Sequence, residues 1–248
     1  WDDGTGTLYS ITDDINRGEL SGMIEMRDNA IPDYISKVDR LAGGIINEIN
    51  KLHYNGYGVD GSTENNFFVP LSAATGFSED NTGGAVITGG DVYDNTALTL
   101  DDYEIRFTAG GTFEIHNLTD GTQVMDARIN GGVDNTGSFS YASGTTLQFE
   151  GIEVVVTDGT AGGPAAGDVF DVSSTGDAAK FMKVDPAVVS DNSKIATSAG
   201  AEGDDNVNVL AIAALRDGNY MNNNTSTFSS YYSGLVGEVG VDAQTASR

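Results

Sequence analysis

The sequence predicts an α+β multidomain protein. A discontinuous, rod-like helical-bundle domain is built from both chain ends, with an antiparallel β domain inserted between them. Three observations carry this reading. Apolar residues recur at helical spacing from residue 18 to 54, glycine-rich strand-like alternation replaces it from 59 to about 176, and helical spacing returns at Asp177. The expected division is therefore residues 1–58 with 177–248 for the helical part, and 59–176 for the β-rich insert.

A short alternating stretch (Leu8, Tyr9, Ser10, Ile11) comes first, and then the strongest pattern in the chain. Ile24, Ile31, Val38, Ile45 and Leu52 recur every seven residues. Leu20, Arg27, Tyr34, Leu41 and Glu48 lie four positions upstream of them, three of the five apolar or aromatic. Two interleaved sets of this kind form one apolar stripe on a helix. As a single helix the segment would span roughly 55 Å at 1.5 Å per residue. Pro32 lacks a backbone donor and disfavours helix at Ile31, which predicts a kink or break within Asn29–Pro32. Asn55-Gly56 supplies the stop. On this reading Ile45→Asp should unfold the helical part by placing an unpaired charge in the stripe.

In the insert, Tyr103, Ile105 and Phe107 alternate with polar residues, Ala109-Gly110-Gly111 turns the chain, and Phe113 and Ile115 resume the alternation. That is a β-hairpin. Asp120-Gly121 turns again before Val124, Ile152, Val154 and Val156 share one strand face, and Phe170 with Val172 begins another strand. Short strands separated by turns suggest a small sandwich or barrel-like domain.

Beyond it, Ala178–Met182 and Ala187–Ile195 read as short helical pieces around Pro186. Asp205 or Asn206 caps a helix carrying Val207, Leu210, Ala211, Ala214 and Leu215. Ser226 caps a last helix with Phe228, Tyr232, Leu235, Val239, Asp242 and Ala246 at 3–4 spacing. Its Gly234, Gly237 and Gly240 each cost about 1 kcal/mol against Ala, so packing must hold this helix. The apolar stripes of the two chain ends are expected to pack on each other.

Composition bounds the function. The 248 residues carry 12 basic and 37 acidic side chains, a net charge of −25. Such a chain repels phosphate backbones and anionic lipids, which argues against nucleic-acid and membrane partners. The longest apolar run, Val209–Leu215, falls far short of the roughly 18 residues of a membrane span. With no cysteine there is no disulfide, thiolate nucleophile or zinc–thiolate site, and two histidines leave little for His-based chemistry. The chain opens at Trp1 without a signal-type leader and stops at Arg248 inside a helical pattern, so it reads as a trimmed piece of a longer protein.

Motifs do not reverse this. Gly56-Tyr57-Gly58-Val59-Asp60-Gly61 matches G-x-G-x-x-G, but it follows a helix and precedes a β region, the reverse of a dinucleotide loop, and reads as a helix-exit turn. Calcium candidates are Asp101-Asp102, Asp134-Asn135 and Asp204-Asp205-Asn206, none in an EF-hand pattern. The related segments at Asp80, Asp94 and Asp134 (Asp-Asn-Thr followed by Gly or Ala) read as turns. His53, on the first helix, and His116, on a strand, read as structural or surface residues. No carboxylate pair stands out for glycoside hydrolysis, and no nucleophile elbow occurs. No catalytic, cofactor-binding or metal site is assigned, no cofactor is expected, and the chain reads as a non-enzyme.

Several segments are more specific. Gly18-Glu19-Leu20-Ser21-Gly22-Met23-Ile24-Glu25-Met26-Arg27-Asp28, then Ile31-Pro32-Asp33-Tyr34 and Val38-Asp39-Arg40-Leu41-Ala42, run to Asn50-Lys51-Leu52-His53. This series resembles the central helix of the flagellar hook-associated protein 1 family. Ala178 to Ser198, Gly203-Asp204-Asp205-Asn206-Val207-Asn208 leading into Leu210–Leu215, and Thr227-Phe228 through Val239-Gly240 are similar to later stretches of the family, in the same order. The insert matches only loosely and is short for members with two outer β domains, and the family's heptad-rich terminal polymerisation segments are absent.

The resemblance implies a structural subunit of the bacterial flagellum, an adaptor between hook and filament. It also implies as partners the flagellar hook protein and the second hook–filament junction protein. Self-association into a ring would belong to the full-length protein, the fragment being monomeric. The location implied is extracellular, after export through the flagellar channel without a cleaved signal. Hook, filament and second junction proteins share the interrupted-helix layout and stay as alternatives. So do an adhesive or glycan-binding β module, for which Tyr93 and Tyr141 are the first aromatic pair to inspect, and a glycoside hydrolase.

Overall fold

The structure, a computed structural model, describes residue 15, residues 17–201 and residues 205–246. The alternating stretch Leu8–Ile11 and the acidic candidate Asp204 lie outside the described residues.

One long helix opens the described chain: α1 (Gly18–Glu25), a π-helical turn (Met26–Ala30) and α2 (Ile31–Asn55). The π turn is where the sequence predicts a kink. In a regular helix the Pro32 ring would press on the carbonyl four residues back. Instead the Ile31 N–H reaches the Met26 carbonyl, five residues back, and the widened turn admits Pro32 in the first turn of α2. The helix stops at Asn55 as expected, but Gly56 has an extended backbone (φ −92°) rather than a left-handed one. Its lack of a side chain serves close approach: a Cβ there would stand 2.2 Å from Asn208 Nδ2.

Ten strands follow: β1 (Ala74–Phe77), β2 (Ala85–Val92), β3 (Asp102–Ala109), β4 (Thr112–Asn117), β5 (Ala127–Ile129), β6 (Gly132–Asp134), β7 (Phe139–Ser140), β8 (Thr145–Phe149), β9 (Ile152–Asp158) and β10 (Val169–Ser173). They form two five-stranded sheets, ordered β1-β10-β3-β4-β7 and β2-β9-β8-β5-β6, with every paired neighbour antiparallel. The expected hairpin is β3–β4, with Ile105 opposite Ile115 and Phe107 opposite Phe113. Inward positions alternate along each long strand, and Tyr103, Ile105, Phe107, Phe113, Ile115, Leu147, Ile152, Val154 and Phe170 are sealed between the sheets. The Phe107 ring meets Phe113, Tyr141 and Phe170 at centroid distances of 5.4, 5.5 and 5.9 Å.

The chain returns through α3 (Ala178–Phe181), α4 (Pro186–Ser190), a 3-10 turn (Asn192–Lys194), α5 (Val207–Ala214) and α6 (Phe228–Ala246). The fold class is thus α+β, with an antiparallel β insert between helical segments. α6 runs antiparallel to α2. The Tyr34 hydroxyl donates to Asp242 at 2.5 Å, Lys37 to Glu238 at 2.6 Å, and Phe228 lies against Gly44, where a Cβ would come within 3.1 Å of its ring. The first and last helical stretches do meet.

The predicted stripes need correction. Ile31 and Val38 are exposed, and Ile45 and Leu52 are only half-buried. The face of α2 that is buried carries Asp39, Ala42, Gly43, Ile46, Asn47, Asn50 and His53. Ala42 and Ile46 join the apolar core of the sandwich, so Ile46, not Ile45, is the core isoleucine. The reason is steric and polar: small and hydrogen-bonding side chains let returning backbone lie close to the helix, which a row of large aliphatics prevents. On α6, Phe228, Tyr231 and Leu235 turn inward while Tyr232 and Val239 face out. On α5, Val207 and Leu210 are exposed, and Leu215 just beyond it is buried. Asp205 supplies the cap of α5, accepting from the Val207 N–H at 2.9 Å. Thr227, rather than Ser226, caps α6 through the Ser230 N–H at 3.1 Å. Ser226 instead pairs with Met221.

Candidate functional site

The polar face of α2 holds the rest of the helical part together. Asp39 accepts from the Ala179 N–H at 2.8 Å and the Asp177 N–H at 3.2 Å, capping α3 from a distance. The local cap position, Asp177, is left-handed (φ 59°) and gives no side-chain cap bond. Asn50 accepts from the N–H groups of Phe67 and Phe68 at 3.0 and 2.9 Å and donates to the Phe68 carbonyl at 3.0 Å. Three residues on, and therefore on the same face, His53 is fully buried. Its Nδ1 lies 2.7 Å from the Asn65 carbonyl, and its Nε2 accepts from the Ala196 N–H at 3.0 Å. These two bonds assign the proton to Nδ1. Burial pushes the imidazole pKa down, against the opposing pull of the Asn65 bond and Asp185. Asn208 of α5 donates to the Ala196 carbonyl at 2.7 Å, so both polar groups of that one residue are held by side chains.

The hydrogen bonds of Asp39, Asn50 and His53 and that of Asn208 Nδ2 all go to peptide groups, so this arrangement binds backbone. His53 is a satisfied structural residue, as its position predicts. His116 is half-buried on β4 with Nε2 3.1 Å from Glu114, two residues away on the same strand face. The Gly56–Gly61 loop follows the C-terminus of α2 and is closed by Tyr57 and Ser198, which exchange backbone bonds of 2.8 and 3.1 Å. It offers no helix N-terminus to a phosphate.

The acidic motifs are turns. Asp94 and Asp134 accept from the N–H groups of Thr96 and Thr136 at 2.8 and 3.0 Å, and Asp60, Asp120 and Asp191 repeat the pattern with Ser62, Thr122 and Ser193. At Asp134 the Thr136 hydroxyl, then its N–H, hold the carboxyl below the usual range. The 80–83 segment differs: Asn81 exchanges two 2.8 Å bonds with the Val169 backbone, and Asp168 accepts from the N–H groups of Thr82 and Gly83. Asp102 is bonded to Arg40 at 3.0 Å, and Asp205 to Ser198 at 2.8 Å.

Tyr93 and Tyr141 do not form an aromatic pair. The Tyr93 N–H bonds Gly151, ahead of β9, while the Tyr141 hydroxyl bonds Asp158, at its far end. Six residues of strand keep them on the order of 20 Å apart.

The other candidate surface is apolar. Leu20, Met23, Met26, Ile31, Ile35 and Val38 stand exposed along α1 and the first turns of α2, with Met23 58% and Ile35 55% exposed. Tyr232, Val236, Val239 and Val241 are exposed on α6. A protein surface carrying this much clustered aliphatic area is built to be covered. The sequence reading missed it by assigning both stripes to each other. One signal was available: the 18–54 periodicity is far longer than the last helical pattern, so α6 alone could not cover it.

Comparison with known proteins gives a consistent result. Residues 1–68 match the model of the helical domain of the flagellar hook-associated protein FlgK. Flagellar hook-associated protein 1 of Escherichia coli strain K12 is 25% identical over 96% of the chain, and that of Salmonella typhimurium is 26% identical over 98%. The chain spans 40% and 42% of the lengths of those two proteins. The flagellar hook junction protein FlgK from Burkholderia pseudomallei superposes on 97% of the chain and 61% of its own, with a TM-score of 0.69 at 16% identity. That last likeness is one of fold.

Proposed function

We propose that this chain, similar over most of its length to flagellar hook-associated protein 1, is the portion of a structural adaptor that sits between the hook and the filament of a bacterial flagellum. The observation that carries the reading is the uncovered aliphatic face of α1, α2 and α6 beside a β sandwich whose own core is closed. A subunit of an axial assembly needs such a face, and an enzyme needs a cleft with converging polar groups instead. Residues 1–58 and 177–248 act as the helical, packing region, and 59–176 as a module directed to solvent. The partners in this reading are the hook protein, the second hook–filament junction protein and neighbouring copies that complete a ring. The site of action is the extracellular flagellum, reached through the flagellar export channel, and the role is mechanical, in assembly and motility.

A chimera tests it. This chain replaces the matching stretch of the Escherichia coli relative in cells lacking their own copy. Filaments should remain attached to hooks, and Ile31→Asp with Ile35→Asp should shed them while circular dichroism of the chain is unchanged. A secreted chimera that leaves hooks bare, or an indifferent double variant, overturns the reading.

A further inference from the structure

We propose that His53 makes the helical region acid-sensitive: its protonation releases residues 195–201 and 205–214, α5 included, from α2 while the β sandwich stays folded. The bond geometry is the reason. Nδ1 already donates to Asn65, so an added proton must go on Nε2, where the Ala196 N–H points at it from 3.0 Å. Two donors then face each other. The ring has no exposure, so water cannot solvate the imidazolium where it stands.

Among the described residues of the segment that would leave, Ala196, Ser198 and Asn208 are the buried ones. α5 buries Asn208, while Val207, Val209 and Leu210 are exposed. The Asn208 bond to Ala196 is internal to the departing segment. What ties the segment to the end of α2 is the His53–Ala196 bond, the Tyr57–Ser198 pair and the fit of Gly56 against Asn208. Losing the first leaves the Tyr57–Ser198 pair, the fit of Gly56 against Ala196 and Asn208, and the packing of α5 on α2.

Charged groups flank the ring on several segments. Asp185, at the start of α4, is the carboxylate that favours the imidazolium, and burial outweighs it. Lys183 and Glu64 lie on the segments that bracket the 65–69 stretch, through the Val69–Lys183 and Glu64–Tyr54 backbone bonds. On the 191–205 side, Lys194 pairs with Asp60 at 3.2 Å, Asp191 closes its own turn on Ser193, and Asp205 is bonded to Ser198. On α2 itself Lys51 pairs with Glu48 at 2.9 Å. Asp205 also stabilises the segment, but its carboxyl is held below the usual carboxylate range by the Val207 N–H, Ser198 hydroxyl and Ala199 N–H. Its contribution is lost at a lower pH than that of His53. The two windows are separable.

The sign follows from the depressed imidazole. Above the ordinary value of 6.5 the neutral ring contributes fully, and below it the released, solvated state binds the proton more readily. Hydrogen exchange on the 248-residue chain, expressed as protection factors from pH 7.5 to 5, reads this out. The amides of Ala196, Ser198, Val209 and Leu210 should lose protection by up to about tenfold per pH unit below 6.5. Those of Phe107 and Val124, bonded within the sandwich, should stay constant. His53→Gln should abolish the pH dependence, and His116→Gln should keep it. Should His53→Gln fail to fold, nitrogen-15 spectra of the wild type serve instead. His53 should remain neutral with its proton on Nδ1 at pH 6. Constant protection at Ala196, Ser198, Val209 and Leu210 in the wild type, an equal loss in His53→Gln, or a charged His53 in a still-protected segment overturns the proposal.

Discussion

The β sandwich and the helical region treat apolar side chains in opposite ways. In the sandwich, Tyr103, Phe113, Phe139 and Leu147 are fully buried between the two sheets, and Ala42 and Ile46 of α2 join the same core. On α1, α2 and α6, Met23, Ile35, Val236 and Val241 face outward, and the helices are joined to the returning chain by Asp39, Asn50 and His53 instead. The sandwich thus buries its large apolar side chains, whereas the helical region leaves a row of them exposed. Substitutions in the two regions should differ accordingly.

The largest effect is expected in the closed core. Phe113→Ala removes a ring packed against Phe107 and Phe139, and should cost about 3–5 kcal/mol in a urea titration. A loss below half of that would mean the sandwich is loosely packed. Next comes the point where α2 enters the same core: Ile46→Ala should cost about 2–4 kcal/mol, and Ile45→Ala clearly less. Equal losses at the two positions would restore the heptad stripe and break the assignment of faces.

Asn50→Ala leaves the Phe67 and Phe68 N–H groups without their acceptor and should cost about 1–3 kcal/mol, with faster exchange at those two amides. The smallest effect is expected on the uncovered face. Ile35→Ser should change thermal stability of the isolated chain by no more than about 0.5 kcal/mol, because the side chain already meets water. A large loss there would show that the face is covered within this chain, and would remove the surface on which the adaptor reading rests.

How far the sequence could be read varied with how local the signal was. Tyr103, Ile105, Phe107, Phe113 and Ile115 revealed their hairpin because alternation and a glycine turn are properties of adjacent residues. Pro32 marked the disturbance in the long helix within two residues, although not that it takes the form of a π turn. The Asn50-x-x-His53 spacing was visible, and His53 was read as structural, but its partners at 65 and 196 were not visible from spacing. The heptad of Ile24, Ile31, Val38, Ile45 and Leu52 misled, since a hydrophobic period reveals an apolar face without saying whether this chain or another molecule covers it. Tyr93 and Tyr141 illustrate a related point: two aromatics in one module say nothing of their separation along β9, or that Tyr93 is exposed while Tyr141 packs on Phe107.

What the sequence determined by itself is the order and kind of elements, the acidic and cysteine-free chemistry, and the family signature along the first helix. Those follow from backbone preference and side-chain charge, which act over a few residues. What only the tertiary structure decided is the face of α2 that is buried, the polar clasp along it, and the aliphatic face left open. These depend on where peptide groups more than a hundred residues away come to rest, and a helix can sense that only after the chain has closed around it.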